Sequence, residues 1–531
     1  MTTGFSPETT AAVATARSYT IGDLLRRTAL RTPSKTAIIN GDTTLTFAEF
    51  DEAVNRCANA LTERGLAQGD RLALVSHNCW QFVVLGFATA RLGVVLVPIN
   101  FGLGAEEIAF ILSHSGSSIV VAEDALTPTV GAAIDTAGID AVRGAIKLTD
   151  SATDGWEDVA DWIAHPDAAA PQVAVGDDDP VRMMFTSGTE SRPKGVLLSS
   201  KSLISQYVSC IVDGGMSADD IEIHSLPLYH CAQLDCFLSV DVYLGATSII
   251  LPSPDPASVL AAIENHGATK LFCPPTVWIS LLRHPDFDAR DLSSLRKGYY
   301  GASAMPVEVL REISRRLPEV DLWNFYGQTE MSPLATILQP HEQMERAGSA
   351  GRASLNVETM VVDDEGNPVP TGEVGEIVHR SPHACLGYYR DDEKTAAAFA
   401  GGWFHSGDLG IIDAEGYLSV VDRKKDMIKT GGENVASREV EEAIYLLDGV
   451  AEVAVFGVPH PKWIEAVAAV VVPKDGVNLT EDQVNTHVES VLAAYKRPKY
   501  LVFADALPKN PSGKILKKDL RVAHEGLSER A

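Results

Sequence analysis

The chain has no clustered cysteines and no excess of positive charge. Seven cysteines lie singly between Cys57 and Cys385, with no CxxC pair. Neither a disulfide framework nor a thiolate metal site is legible, and the reading is reduced thiols. The formal charge of −27 would be repelled by a phosphate backbone, which excludes general nucleic-acid binding. Repeats and low-complexity tracts are absent. The start, MTTGFSPETT, lacks a basic region leading into an apolar core, so no secretory leader is read and the expected location is the cytoplasm. No long uncharged apolar run occurs either. The nearest is 82–101, which carries Arg91. A central Arg costs about 3 kcal/mol in a spanning helix. Gly93 before VVLVP reads instead as helix, turn and buried strand, so no integral membrane segment is expected.

What is present points to a large α/β protein. At 531 residues the chain exceeds one ordinary core and predicts two or more domains. Short β-branched runs (RLALV at 71–75, VVLVPI at 94–99, SSIVVA at 117–122, TSIIL at 247–251) alternate with amphipathic stretches such as 105–113 and 258–265. That alternation predicts largely parallel, buried strands with helical crossovers. Gly410 onward predicts a hairpin turning at Ala414-Glu415-Gly416. Charge divides the chain unevenly. From Arg423 on, acidic and basic residues are equal in number, so the whole −27 resides before it. Domains of 1–422 and 423–531 are therefore expected, joined through the charged run Asp422 to Asp426. In the second, Ser437 is expected to N-cap a helix with Glu439, Glu441 and Glu442 in its first turns.

Thr186 to Gly195 (TSGTESRPKG) follows the short apolar strand Arg182 to Phe185. Gly188 and Gly195 permit tight turns with exposed N–H groups, Thr186, Ser187, Thr189 and Ser191 add donors, and Lys194 adds charge. Such a loop is equipped to hold a polyphosphate. It is not a Walker A loop, because Lys194 precedes its glycine and Val196 follows.

Five further stretches follow in order: Pro227-Leu-Tyr-His230, Asn324-Phe-Tyr-Gly-Gln-Thr-Glu330, Trp403-Phe-His-Ser-Gly-Asp408, Asp422-Arg-Lys-Lys-Asp426 and Pro511-Ser-Gly-Lys514. With the loop, they resemble the core motifs of the adenylate-forming (AMP-binding) superfamily, in its acyl-CoA synthetase branch. The likeness runs from Thr46 to Lys514. It implies a large multi-subdomain N-terminal domain with mostly parallel sheets, a small mobile α+β C-terminal lid, and ATP, Mg²⁺ and coenzyme A as cofactors. It also implies two half-reactions, in which carboxylate and ATP give acyl-AMP and pyrophosphate, and acyl-AMP and CoA then give acyl-CoA and AMP.

Carried over position by position, the likeness makes Lys514 the catalytic lysine between carboxylate and α-phosphate, Glu330 the Mg²⁺ ligand, and His230 the carboxylate-side gate. Two anions must approach each other, so positive charge is needed where negative charge gathers. Thr329 would bond the α-phosphate, and Thr186, Ser187, Gly188, Thr189 and Lys194 the outer phosphates. Asp408, reinforced by Arg423, would accept the ribose hydroxyls. Gly301, Ala302 and Ser303, with Asn324, Tyr326 and Gly327, would line adenine. Lys429, Gly431 and Gly432 would face the pantetheine arm, and Lys425 would be the hinge.

The acid is less legible. Open space at Gly301 and Gly327, with Cys231, Tyr300 and Met331 beside His230, predicts an apolar pocket, and Trp278 is read as core. No cation is evident there, which disfavours a second carboxylate. A medium- or long-chain fatty acid is expected, with an aryl, cinnamate-type or polycyclic acid as the alternative. Lys517 and Lys518 read as tail lysines. A non-catalytic nucleotide-binding homologue is disfavoured because Lys514, Glu330 and Asp408 are all retained. Homodimers are common among such relatives.

Overall fold

The computed structural model describes residues 4–186, 193–303, 305–424, 426–430, 433–474, 476–509 and 515–529. Two large sheets carry most of the chain before residue 360. Each is parallel at its centre; the first is antiparallel at one edge and the second at both. In the first, the strands Val95–Pro98, Arg71–Val75, Ile119–Glu123 and Val142–Ile146 run parallel, and Pro180–Thr186 extends them. Antiparallel Lys194–Ser199 and the two-residue strand Gly387–Tyr388 complete that edge. In the second, Thr36–Asn40, Thr247–Ile250, Ile221–His224, Lys270–Phe272, Lys297–Gly301 and Asp321–Tyr326 lie parallel in that order. Helices between these strands bury apolar faces on both sheets, so the strands read as continuous apolar runs.

Local chemistry sets the element ends. Thr46 and Glu49 form a reciprocal capping box that starts the helix Phe47–Glu63. The run read as helix, turn and strand is just that. Helix Trp80–Leu92 stops at Gly93, whose φ of 68° is left-handed. Arg91 is buried against Asp51 at 2.7 Å, a satisfied core arginine. No helix among the described residues is long and apolar enough to cross a membrane.

A smaller sheet departs from the parallel expectation. Glu358–Val362, Gly375–Arg380, Phe404–Ile412 and Leu418–Arg423 are wholly antiparallel, the last two forming the expected hairpin. Beyond it lies a small C-terminal α+β domain. Long strands Val450–His460 and Ile464–Pro473 pair antiparallel, and their apolar residues fill two cores made only of residues from 428 onward.

Two expectations there are corrected. Ala436, not Ser437, caps the helix Ser437–Tyr445. The Ser437 N–H donates instead to Asp422 Oδ2 at 2.6 Å, so a carboxylate from outside the helix performs the capping. Lys517 is no idle tail residue, because its Nζ lies 2.8 Å from Glu441 Oε1 and donates to the Ser437 hydroxyl.

Candidate active site

Strand Asp321–Tyr326 and the short 3-10 turn Thr329–Met331 that follows it supply two functional groups. Tyr326 donates its hydroxyl to Asp408 Oδ2 at 2.7 Å. Asp408 sits on Phe404–Ile412 in register with Arg423 across the hairpin, and Arg423 Nε lies 3.1 Å from Asp408 Oδ1. That contact is not aligned as a hydrogen bond, so Oδ1 is buried without a donor among the described residues. A buried carboxylate oxygen lacking a donor suits a ligand hydroxyl. Tyr326, expected at adenine, thus reaches the carboxylate expected at ribose.

Four residues on, Glu330 Oε1 accepts the hydroxyl of Tyr388 at 3.0 Å. The ring of Tyr388 lies 5.0 Å from Lys194 Nζ, close enough for a cation–π contact. Burial, then the charge of Glu330, raises the pKa of Tyr388, so it stays a donor. Sequence reasoning missed Tyr388. Its only signal is an aromatic in a two-residue strand paired to the strand that begins at Lys194. Lys194 also borders a cleft of about 190 Å³ shared with His114 and Lys394.

The acid side is built on a turn. His230 N–H bonds to Pro227 O at 3.1 Å, and His230 O accepts Leu234 N–H at 3.2 Å. A π-helix, Ala232–Leu238, follows at once, a rare element that recurs at functional sites. Cys231 Sγ lies 3.3 Å from Thr329 Oγ1, which joins this turn to the Thr329-Glu330 segment.

The residues expected around the acid are closely packed. A Cβ at Gly301 would stand 2.4 Å from Phe325 O, and one at Gly327 would stand 2.0 Å from Pro333 O. Close approach of backbone is by itself a sufficient reason for glycine at both positions. Met331 is fully buried, packed with Ala335 and Phe404. Tyr300 is core, its hydroxyl donated to Gln343 Oε1 at 2.7 Å. Cys231 is 1% exposed, so it too borders almost no open space. Trp278 is core as expected.

Of the other expected contacts, Ala302 and Ser303 are exposed, and Ala302 holds a left-handed φ of 64°, strain of a kind that gathers at functional sites. Asn324 Nδ2 is engaged with Ser349 O at 3.0 Å. Thr186 pairs with Lys194 in the hairpin, and exposed Lys429 donates its N–H to Glu465 Oε2 at 2.7 Å. Ser187, Gly188, Thr189, Ser191, Lys425, Gly431, Gly432 and Lys514 lie outside the described residues.

Comparison with known proteins gives concordant matches. The model of the AMP-binding enzyme family matches residues 25–389, and that of the AMP-binding enzyme C-terminal domain matches 439–514. A feruloyl-CoA synthase of Amycolatopsis sp is 36% identical over 95% of this chain and 99% of its own length. The long-chain-fatty-acid–CoA ligase FadD13 of Mycobacterium tuberculosis is 36% identical, over 94% of this chain and 98% of its own. The crystal structure of the anthranilate CoA ligase AuaEII in complex with anthranoyl-AMP superposes with a TM-score of 0.90 at 28% identity, covering 98% of this chain and 100% of that one. The chain therefore belongs to the AMP-binding enzyme family, as an adenylate-forming acid–CoA ligase.

Proposed function

We propose that the chain activates an apolar monocarboxylic acid with ATP and passes the acyl group to CoA by moving its C-terminal domain between two half-reactions. The observation that carries this reading is a pair of side-chain sets built on adjacent segments: Tyr326–Asp408–Arg423, and Glu330–Tyr388–Lys194 four residues on. One suits a ribose diol and the other a polyphosphate.

In the first half-reaction, a carboxylate oxygen attacks the α-phosphorus of ATP and pyrophosphate leaves. Lys514 steadies the two anions, Thr329 donates to the α-phosphate, and Lys194 holds the departing end. Glu330 fits a Mg²⁺ ligand, since no described residue donates to its Oε2 and a lone carboxylate completed by waters and phosphates is the usual Mg²⁺ arrangement. When bound, that ion would neutralise phosphate charge.

In the second half-reaction, the domain 423–531 turns about Lys425 and brings the segment from Lys429 to Gly432 to the thiol. Hydrogen bonding around the hinge supports this. Lys424 is tied to Asp364 at 2.8 Å and Asp426 to Arg521 at 2.8 Å. Of the residues flanking Lys425, one thus pairs with a residue well before it and the other with a C-terminal helix.

For the acid, the one charged residue of the π-helix is Asp235, turned inward to Tyr207 at 3.1 Å, so nothing there favours a second charged group on the substrate. Likeness to FadD13 supports a medium- or long-chain fatty acid. Likeness to the feruloyl-CoA synthase supports a second reading, an aryl or cinnamate-type acid. Pyrophosphate release over aliphatic and aryl acids, with ATP and Mg²⁺, tests both. Turnover of short aryl acids with no response to saturated chains would overturn the fatty-acid reading, and silence throughout would overturn the ligase.

A further inference from the structure

Two buried side-chain amides grip the turn that carries His230. Asn78, 3% exposed, lies just after strand Arg71–Val75. Its Oδ1 accepts Leu228 N–H at 2.8 Å, and its Nδ2 donates to Leu226 O at 2.8 Å and Leu251 O at 3.0 Å. Gln233 is fully buried in the first turn of the π-helix. Its Oε1 accepts Leu226 N–H at 3.3 Å, and its Nε2 stands 2.7 Å from His224 Nδ1. Between these anchors, residues 225–230 form neither helix nor strand. Their buried backbone groups need partners from elsewhere, and the two amides supply them.

We propose that Asn78 and Gln233 are positioning residues for acid activation, forming an amide clamp that sets where His230 and the π-helix beside it stand. This rests on the reading of His230 as the acid-side residue.

Amides are suited to this because each offers both a donor and an acceptor. With Gln233 Oε1 on an N–H, its Nε2 must donate, so His224 Nδ1 accepts and carries its proton on Nε2. That nitrogen faces Asp241 Oδ2 at 3.3 Å. Asp241 and Glu222 share the ammonium of Lys270, 2.7 Å from Glu222 Oε2. Glu222, His224 and Asp241 lie close enough together to ligate a cation. The Lys270 ammonium already serves the two carboxylates, so the cluster anchors the clamp and is not a metal centre. Burial lowers the pKa of His224 and keeps it neutral, as an acceptor must be.

The test uses the full-length protein with ATP, Mg²⁺ and the best acid of the panel, following pyrophosphate release and melting temperature for Asn78→Ala, Gln233→Met, Gln233→Glu and His230→Ala. The first two should lose about tenfold or more in kcat/KM for the acid, as misplaced groups do, while the KM for ATP stays within about twofold. Gln233→Glu should recover most of the loss. Its carboxylate still accepts Leu226 N–H, and its charge opposes the burial that keeps His224 neutral in the wild type, so His224 takes up a proton and donates to the other oxygen. Should Gln233→Met not fold, Gln233→Asn replaces it, one methylene too short to reach both partners. Equal shifts in the acid and ATP constants, or a lowered melting temperature with unchanged kinetics, would reduce the amides to structural residues and overturn the proposal. If His230→Ala raises the acid KM and the clamp variants do not, the clamp alone falls. If His230→Ala is silent, the reading of His230 falls and takes the clamp with it.

Discussion

Replacing Tyr388 by phenylalanine removes one atom from the phosphate side of the site. The ring under Lys194 remains, 5.0 Å from its Nζ, while the 3.0 Å hydrogen bond to Glu330 Oε1 disappears. Hydrogen bonds to charged groups contribute about 1.5 kcal/mol at the low end, the end that applies because both residues are only half-buried. Each 1.36 kcal/mol is a factor of ten, so kcat/KM for ATP should fall about tenfold in pyrophosphate release. Because the Tyr388 pKa is raised, the loss should be flat across neutral pH. Tyr388→Leu removes the cation–π contact as well, a further loss of about 0.5–1 kcal/mol, or two- to fivefold. In a Lys194→Met background that further step should vanish, since the cation it depends on is gone. Tyr388→Phe at the wild-type rate would refute the hydrogen-bond argument. Equal rates for Tyr388→Phe and Tyr388→Leu would refute the cation–π argument.

Three other outcomes are expected. Lys514→Ala should abolish acyl-AMP formation yet spare much of the CoA transfer from supplied acyl-AMP, and equal loss of both halves would refute its assigned role. Gly327→Ala should lower the melting temperature strongly, because its Cβ would meet Pro333 O at 2.0 Å, at or beyond the ~3 kcal/mol end of overpacking costs. Gly416→Ala, with a φ of 85° but no neighbour within 4 Å, should cost only about 1 kcal/mol, and similar losses from the two would contradict the close-approach explanation. His379 is buried, chiefly for that reason its pKa drops from 6.5 to about 4, and the unfolded chain therefore binds its proton first. Its stabilising contribution is complete above the unfolded value and is lost as pH falls through about 4, a change on the order of 3 kcal/mol. Urea midpoints of His379→Asn should fall less steeply between neutral pH and that value than those of the wild type, and parallel slopes would count against the assignment.

Legibility in the sequence followed the range of the forces. Alternating strands and helices, the stop at Gly93 and the hairpin ending at Arg423 all rest on residues within a few positions of one another, and all appear where the pattern places them. Ser437 defeated the capping rule because its partner, Asp422, is 15 residues away. The backbone contacts at Gly301 and Gly327 are illegible in the sequence for a related reason. A glycine in a sequence says that a side chain is unwanted, but not whether a ligand or another stretch of backbone takes the space.

The sequence by itself determined the class of chemistry, because the motifs are short, ordered and locally encoded from Thr186 to Lys514. Only the tertiary structure decided which of their residues meet. Tyr326 and Asp408 come together across 82 residues, and Glu330 and Tyr388 across 58. Asn78 reaches the His230 turn from 150 residues upstream of Leu228. Such contacts depend on strand pairing and sheet packing between distant segments, and no periodicity within either segment records its partner.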